Sequence, residues 1–411
     1  MADTGALSHL KVLDLSRVLA GPWCTQMLAD LGADVVKVER PLAGDDTRHW
    51  GPPFLQDADG ADTAHASYFT ACNRNKRSIT IDMAHPQGQA LIRQMARDSD
   101  IVVENFKVGG LTQYGLDYAS LKAVNPRLIY CSVTGFGQQG PYAGRAGYDL
   151  MVQAMSGMMS ITGTAEGGPT RVGVALIDLF TGVYACSAIL AALEARNRSG
   201  QGQHIDMALL DVSMAILANQ AAGFLNTGKV PQRQGNGHPS LVPYQDFETA
   251  DGAMLLAVGN DGQFARFCAV AGQPQWAEDS RFASNAARVQ HREALVPLMQ
   301  AVTRTRSTAQ WIADLEQRAV PCGPINDMGQ AFADAQVLSR GLRVTQATDP
   351  LVAAQTGVAS IDSVASPLRL SDTPPVLRNA PPALGQHTDE VLAQLGLDAQ
   401  RIAALRASGV V

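Results

Sequence analysis

Strand-forming segments alternate with helix-forming segments over the first 134 residues, and no other feature restricts the fold as strongly. Runs with strand character occupy residues 10–15, 33–39, 78–82, 101–104 and 127–133. The sequence predicts helices between them at residues 21–31, 86–97 and 117–124. Such alternation is typical of an α/β fold with a doubly wound parallel sheet. Ligands of these sheets bind in the loops that follow the strands, so the loops after residues 15, 39, 104 and 133 are candidate site segments.

The rest of the chain predicts a second, smaller domain. At 411 residues, two domains are the expectation. Residues 1–225 form the first part of the large domain, and the polar segment 226–234 is a candidate linker. A hairpin signal at Asp251-Gly252 and three helical segments after it predict an α+β domain over residues 226–330. Residues 331–411 are expected to return to the large domain and complete it.

Composition excludes several classes of partner. The net charge is −6 and no long basic run occurs, which argues against nucleic acid and anionic membranes. No apolar run of about 18 residues lacks a charge, so no membrane span is predicted. The six cysteines are scattered without a C-x-x-C pair, and the N-terminus resembles no signal peptide, which predicts a cytoplasmic protein with reduced thiols. No metal-ligand spacing is present.

One charge, Asp178, interrupts the apolar run at residues 172–190, VGVALIDLFTGVYACSAIL. Residues 172–177 are predicted as a buried strand and residues 179–194 as a buried helix. One interpretation is structural: a carboxylate at a helix start caps backbone N–H groups. The other is chemical. No Lys or Arg lies between Arg171 and Arg196, and an unpaired, weakly solvated carboxylate is what covalent acyl transfer requires of a nucleophile.

Two further motifs allow a phosphate-bearing ligand. Residues 135–140 match G-x-G-x-x-G after a strand, but Pro141, Gly144 and Gly147 follow, so no helix is expected and a substrate-contacting loop is favoured over an NAD site. Arg40, directly after the second strand, suits a ribose phosphate such as the 3′-phosphate of coenzyme A, or is a solvated loop charge. The basic cluster at residues 73–77 is a further candidate phosphate contact, and Asp149 is predicted to cap its own helix.

Together these segments resemble the class III CoA-transferases, the CaiB/BaiF family, from end to end. The stretches that carry the resemblance lie at residues 10–22, 32–41, 73–79, 103–106, 134–141, 153–163, 173–178 and 384–388. Residues 44–53, 145–149, 237–245 and 321–328 are most similar to members of the family that move CoA between succinate and glutarate.

The resemblance implies a doubly wound large domain, a small domain and an interlocked homodimer. It implies that Asp178 is the nucleophile, forming an anhydride and then an aspartyl-CoA thioester, with no permanently bound cofactor and CoA thioester as substrate. It assigns a glycine-rich substrate loop to Gly235, Gly237 and His238. CoA contacts would fall on Leu19, Ala20, Arg40, Ile81, Ala84, Asn105, Phe106, Lys107, Arg145 and Tyr148. A basic residue expected near Ala146 is shifted to Arg145, and one expected at Gln113 is absent.

Other functions stay open at this point. The same family contains α-methylacyl-CoA racemases, but their acid–base histidine corresponds to Tyr148, a poor base at neutral pH. An NAD-linked oxidoreductase and a non-catalytic acyl-CoA-binding protein are the alternatives from other classes. The second carboxylate of a dicarboxylic acid could be held by Arg48, Arg74 or Lys76, among which the sequence does not choose.

Overall fold

The computed structural model describes residues 5–411, which form two compact units. The first comprises the described part of Met1–Ser156 with Gly173–Ala221 and Gln336–Val411, and the second comprises Gly157–Val172 and Ala222–Ala335. The strands are β1 Lys11–Asp14, β2 Asp34–Glu39, β3 Phe54–Gln56, β4 Asp62–Ala66, β5 Lys76–Thr80, β6 Ile101–Glu104, β7 Ile129–Thr134, β8 His204–Ala208, β9 Tyr244–Glu248, β10 Ala253–Ala257, β11 Cys322–Pro324, β12 Arg343–Ala347 and β13 Ser360–Val364. The α-helices are α1 Ala20–Asp30, α2 Ser67–Thr70, α3 Pro86–Arg97, α4 Tyr118–Val124, α5 Asp149–Met155, α6 Met158–Ile161, α7 Leu176–Ser199, α8 Leu209–Ile216, α9 Ala218–Thr227, α10 Asp261–Val270, α11 Asn285–Gln290, α12 Arg292–Thr303, α13 Thr308–Glu316, α14 Met328–Ala333, α15 Ala335–Ser339, α16 Pro350–Thr356, α17 Thr388–Gln394 and α18 Ala399–Ala407.

A six-stranded parallel sheet forms the centre of the first unit, in the order β5-β2-β1-β6-β7-β8. This confirms the predicted parallel α/β sheet. The chain moves outward from β1 through β2 to β5, and then crosses to the other side of β1 and continues from β6 to β8. The strand order therefore reverses between β1 and β6. The loops that leave these two strands diverge, and a crevice opens between them at the carboxyl edge of the sheet.

Two of the predicted secondary-structure elements are wrong. Residues 172–175 form no strand, and α7 already begins at Leu176. The apolar run at residues 205–225 predicts a long helix, but its first residues belong to the strand β8, His204–Ala208. β8 is an edge strand with Ile205 and Met207 only partly buried, so it lacks the continuous buried apolar run of a central strand such as β6.

The 24-residue helix α7 packs against α1 at Gly182. A Cβ atom at this position would lie 2.8 Å from the Ala20 carbonyl oxygen and 2.9 Å from Cδ1 of Trp23, so only glycine allows the close approach. Within residues 5–411, α7 is also the one helix that is long and apolar enough to cross a membrane by length and composition alone. Core helices meet the same test, and 44% of its most apolar window is buried in the molecule.

The second unit contains an antiparallel sheet in the order β11-β10-β9, and the pair β9–β10 confirms the hairpin predicted around Asp251-Gly252. Its core includes the fully buried side chains Phe247, Phe264 and Trp311. In the first unit, the sequence predicts irregular strands over residues 342–370, and the structure has there the regular antiparallel pair β12–β13 with α16 between the two strands. The C-terminal helices α17 and α18 pack into the core of the parallel sheet.

Candidate active site

A cavity of about 500 Å³ lies in the crevice between the loops that follow β1 and β6. Residues 17–20 form one wall, and residues 105–108 also line the cavity. Asp178, in the first turn of α7, faces the same cavity. The topology therefore brings together three segments that are far apart in the sequence.

Asp178 is half-buried, and within residues 5–411 its side chain forms no ion pair or hydrogen bond. The helix start that carries it is capped from another element. Asp149 Oδ1 accepts hydrogen bonds from the backbone N–H groups of Ile177, at 2.7 Å, and of Asp178, at 3.3 Å. Asp149 was predicted to cap its own helix α5, and this is wrong: it is the first residue of α5 and caps α7. Because Asp149 satisfies these N–H groups, the carboxylate of Asp178 is left free for chemistry.

The surroundings of Asp178 disfavour its charge. Burial, and second the negative charge of Asp149, raise the pKa of Asp178 from 3.8 to about 7. Near neutral pH the group is therefore divided between carboxylate and carboxylic acid. Tyr68 lies close enough that burial and the charge of Asp178 raise the pKa of its phenol to about 12. A carboxylate with a raised pKa in a cavity is a recognised sign of a functional group.

Buried charges fix the loop that forms the first wall. The Lys37 ammonium donates to the carbonyl oxygen of Ser16 at 2.7 Å and pairs with Asp45 at 2.9 Å. Asp45 in turn accepts from the backbone N–H of Val18, at 3.2 Å from each oxygen. Val18 has φ of 68°, a left-handed conformation that costs a β-branched residue free energy. The ion pair therefore holds the strained backbone that leads directly into Leu19 and Ala20.

The predicted CoA contacts fall into two adjoining cavities. The 500 Å³ cavity is lined, together with Asp178, by Leu19, Ala20, Asn105, Phe106, Lys107, Arg145 and Tyr148. A neighbouring cavity of about 240 Å³ is lined by Arg40, Ile81 and Ala84. Arg17, Phe106 and Tyr114 belong to both linings, so the two cavities meet at these side chains. The structure thus brings the ten residues together in the first unit, while their contact with CoA stays a prediction.

Three basic residues proposed for a distal carboxylate are buried in internal ion pairs, which corrects that proposal. Arg48 Nη2 lies 2.7 Å from Glu39 Oε1, and Arg74 Nη2 lies 2.6 Å from Asp30 Oδ2. The Lys76 ammonium is fully buried 3.0 Å from Asp14 Oδ2. Within the basic cluster at residues 73–77, Arg74 and Lys76 therefore have a structural role. Glu39, held by Arg48, is likewise not available for the ribose hydroxyls of a dinucleotide.

The predicted glycine-rich loop belongs to the second unit. Gly235 has φ of 58° and donates its N–H to the carbonyl oxygen of Gly163 at 2.9 Å. His238 donates its N–H to the Tyr244 carbonyl oxygen at 3.0 Å, and its Nδ1 accepts from Ser240. Gly235 and Gly237 line a wide cavity within this unit. The role of the loop in substrate binding stays a prediction.

Sequence reasoning missed several cavity residues. Arg17, Asp46 and Trp50 line the cavity with Asp178, and the Trp50 ring packs edge-on against Tyr68 at 5.5 Å between centroids. Arg17 could have been found from its position, since it lies in the loop that follows the strand β1. Trp50 lies at the end of the loop after β2, which is one of the predicted site segments, although the residue itself was not singled out. Tyr68, in α2, carried no such signal. Among residues 5–411, no three His, Cys, Asp or Glu side chains are grouped as a metal site.

Comparison with known proteins gives consistent results over almost the whole chain. A model of CoA-transferase family III matches residues 7–388. The chain is 52% identical over 390 residues to a succinate–glutarate CoA-transferase of Agrobacterium fabrum, covering 95% of each sequence. It is 42% identical over 415 residues to the human succinyl-CoA:glutarate CoA-transferase, covering 100% of this chain and 91% of that sequence. The crystal structure of a CaiB/BaiF family protein from Brucella suis superposes with a TM-score of 0.83 at 48% identity, covering 95% of this chain and 100% of that one.

Proposed function

This chain belongs to CoA-transferase family III, and from that premise we propose that it transfers CoA from succinyl-CoA to glutarate or a closely related dicarboxylic acid. The Agrobacterium fabrum and human relatives carry these two substrates in their names. The observation that carries the proposal is the position of Asp178, an unpaired carboxylate in a cavity formed by the predicted CoA contacts.

In the proposed reaction, a carboxylate oxygen of Asp178 attacks the thioester carbonyl of succinyl-CoA. The C–S bond breaks, CoA leaves as thiolate, and a mixed anhydride of Asp178 and succinate remains. The thiolate then attacks the Asp178 carbonyl carbon, which releases succinate and leaves an aspartyl-CoA thioester. Glutarate reverses the sequence: its carboxylate displaces the thiolate from Asp178, and the thiolate returns to the glutaryl carbonyl. Free Asp178 and glutaryl-CoA result, so no water, proton or electron is consumed.

The raised pKa of Asp178 suits this chemistry. A carboxylate of pKa about 7 is more basic than one of 3.8, and therefore a stronger nucleophile towards a thioester. Burial also removes water, which would hydrolyse the anhydride and the aspartyl thioester. The same burial has a cost, because only the ionised fraction of Asp178 can attack.

We extend the proposal to a homodimer in the cytoplasm. One face of α7 remains exposed and apolar, with side chains that include Phe180, Val183, Tyr184 and Leu190. An apolar helix face of this length is suited to burial against a second copy of the chain. Six free cysteines, five of them fully buried, accord with a reducing compartment. Gel filtration with light scattering tests the oligomeric state.

Mass spectrometry tests the chemistry. After incubation with succinyl-CoA and no acceptor acid, we expect a CoA adduct on the peptide that contains Asp178. Adding glutarate should discharge the adduct and yield glutaryl-CoA, and a panel of other acids then ranks the acceptors. The Asp178→Asn variant should form no adduct, whereas Asp98→Asn, which removes an exposed carboxylate at the end of α3, should behave as the wild type. An adduct on another residue, or transfer that survives in Asp178→Asn, contradicts the mechanism.

A further inference from the structure

Arg17 occupies the junction between the cavity of Asp178 and the cavity of Arg40. Its guanidinium carbon lies 5.4 Å from the centroid of the Phe106 ring, which also borders both cavities. CoA has a linear order of parts: thiol, pantetheine arm, diphosphate, and then the ribose with its 3′-phosphate. If the thioester reaches Asp178 and the ribose lies near Arg40, the group that passes Arg17 is the middle of the molecule.

The backbone of Arg17 is fixed on both sides by one amide. Asn105 Oδ1 accepts from the Arg17 N–H at 2.9 Å, and Asn105 Nδ2 donates to the Arg17 carbonyl oxygen at 2.7 Å. Asn105, assigned above as a direct CoA contact, thus has both amide atoms engaged with Arg17. These two hydrogen bonds fix the backbone from which the Arg17 side chain extends, while the side chain itself stays partly exposed.

The guanidinium is held only weakly. Nη1 donates to Asp46 Oδ2 at 3.1 Å, in a pair whose side chains are 37% and 48% exposed. Such exposed pairs contribute little to stability, so exchanging Asp46 for another anion costs little. Nε is buried and has no hydrogen-bond partner within residues 5–411. Arg17 therefore retains donors for a ligand, and a planar guanidinium binds two phosphate oxygens at once.

We propose that Arg17 binds the diphosphate of CoA and that Asp46 is the anion it releases when CoA enters. The inference rests on the proposed function and adds a binding residue to it. It also explains how the site functions without a basic residue at position 113, where Gln113 lines the same cavity and donates to the Gly110 carbonyl oxygen. Arg17, from the loop after β1, thus supplies the positive charge that the resemblance places at residue 113, after β6.

The test compares three donor substrates in the Arg17→Gln variant: succinyl-CoA, succinyl-3′-dephospho-CoA and succinyl-pantetheine. We expect KM to rise about tenfold to a hundredfold for the first two, which both contain the diphosphate, with kcat unchanged. KM for succinyl-pantetheine should stay the same. Arg17→Lys should restore part of the affinity, because lysine keeps the positive charge but lacks the paired N–H donors of the guanidinium. Asp46→Asn should lower KM for succinyl-CoA, by no more than about fivefold.

A matched control is Arg343→Gln, which removes an arginine from the exposed ion pair with Asp362 between β12 and β13 and should leave all three KM values unchanged. An unchanged KM for succinyl-CoA in Arg17→Gln overturns the inference. So does a loss that extends equally to succinyl-pantetheine, which would reflect a structural role, or one confined to succinyl-CoA, which would assign Arg17 to the 3′-phosphate. Failure of the proposed function is distinct: the wild type would then bind CoA in calorimetry without transferring it to any acid.

Discussion

Replacing Asp149 by Asn should shift the pH dependence of transfer to lower pH. Asp149 raises the pKa of Asp178 through its charge, but burial is the larger cause of the rise from 3.8 to about 7. That rise corresponds to roughly 4 kcal/mol against the charged form. Asp149 therefore accounts for less than half, or below roughly 2 kcal/mol, and removing its charge should lower the pKa of Asp178 by less than about 1.5.

The observable is the acid limb of kcat/KM for succinyl-CoA, which reports ionisations of the free enzyme. Activity requires ionised Asp178, so it should fall about tenfold per pH unit below pH 7 in the parent protein. A second carboxyl group, Glu104, is expected to titrate in the same pH range, because burial also raises its pKa to about 7. Its carboxylate accepts the Phe106 N–H at 2.8 Å, so it lies beside a residue that lines the cavity. The measurement is therefore made in a Glu104→Gln background, with and without Asp149→Asn.

Asn at position 149 keeps Oδ1 as acceptor for α7, but its amide nitrogen faces the Gln153 side chain that now donates to Oδ2 at 2.6 Å. Thermal unfolding checks that the helix start survives. Asp211→Asn, which removes an exposed charge from the first turn of α8, is the matched control and should leave the acid limb in place. An unchanged limb in the Asp149 variant refutes the electrostatic coupling. A limb that falls to near pH 4 refutes the statement that burial is the larger cause.

Two further outcomes concern stability. The folded state raises the pKa of Asp178 above its unfolded value of 3.8, so between about pH 4 and 7 the folded protein holds a proton that the unfolded chain has released. The contribution of this protonated carboxyl group to the free energy of unfolding is full below about pH 4 and is lost as pH rises through 7. Asp178→Asn should therefore stabilise the protein at pH 8 by up to about 4 kcal/mol more than at pH 4, as measured by urea unfolding; an equal effect at both pH values contradicts this. Lys76→Met leaves Asp14 buried without its nearest cation and should cost about 3–5 kcal/mol, whereas Arg343→Met, at an exposed pair, should cost no more than about 1 kcal/mol in the same titration. Similar losses for the two variants would show that burial of the Lys76–Asp14 pair has no energetic consequence.

The parallel sheet could be predicted because its signals are local. Helix α3 has the predicted bounds, with Pro86 in its first turn and the His85 side chain accepting from the Gln87 N–H. The start of α7 could not be predicted in this way, since no residue next to it caps the helix. Its cap comes from Asp149, 28 residues before Ile177. An apolar run such as residues 172–177 is compatible with either a strand or a helix until that distant partner is known.

The site residues divide in the same way, into those that local sequence signals predict and those whose role depends on distant partners. Residues after strand ends, such as Leu19 and Lys107, line the cavity, because the carboxyl edge of a parallel sheet collects such loops. The charges of Arg74 and Lys76 were assigned to a ligand because their partners are remote: Asp30 lies 44 residues before Arg74, and Asp14 lies 62 residues before Lys76. The sequence shows that a cationic side chain is present, but only the fold shows whether an anionic side chain already pairs with it.

The direction of the carboxylate pKa then separates Asp178 from the ion-paired acids Asp14 and Glu39. Burial raises the pKa of Asp14, but the charges of Lys76 and Lys37 outweigh it and lower that pKa to about 2. In Glu39, burial is likewise outweighed by Arg48 and the pKa is lowered. Asp178 is no more deeply buried than these two, yet its pKa rises, because among the described residues no cation opposes the burial and Asp149 adds to it. What distinguishes the proposed nucleophile from these two acids is therefore the missing counter-charge rather than burial itself. An arginine introduced beside Asp178 should make the protein more stable and the carboxylate less reactive, since the free energy that stabilises an ion pair is lost again when the carboxylate attacks.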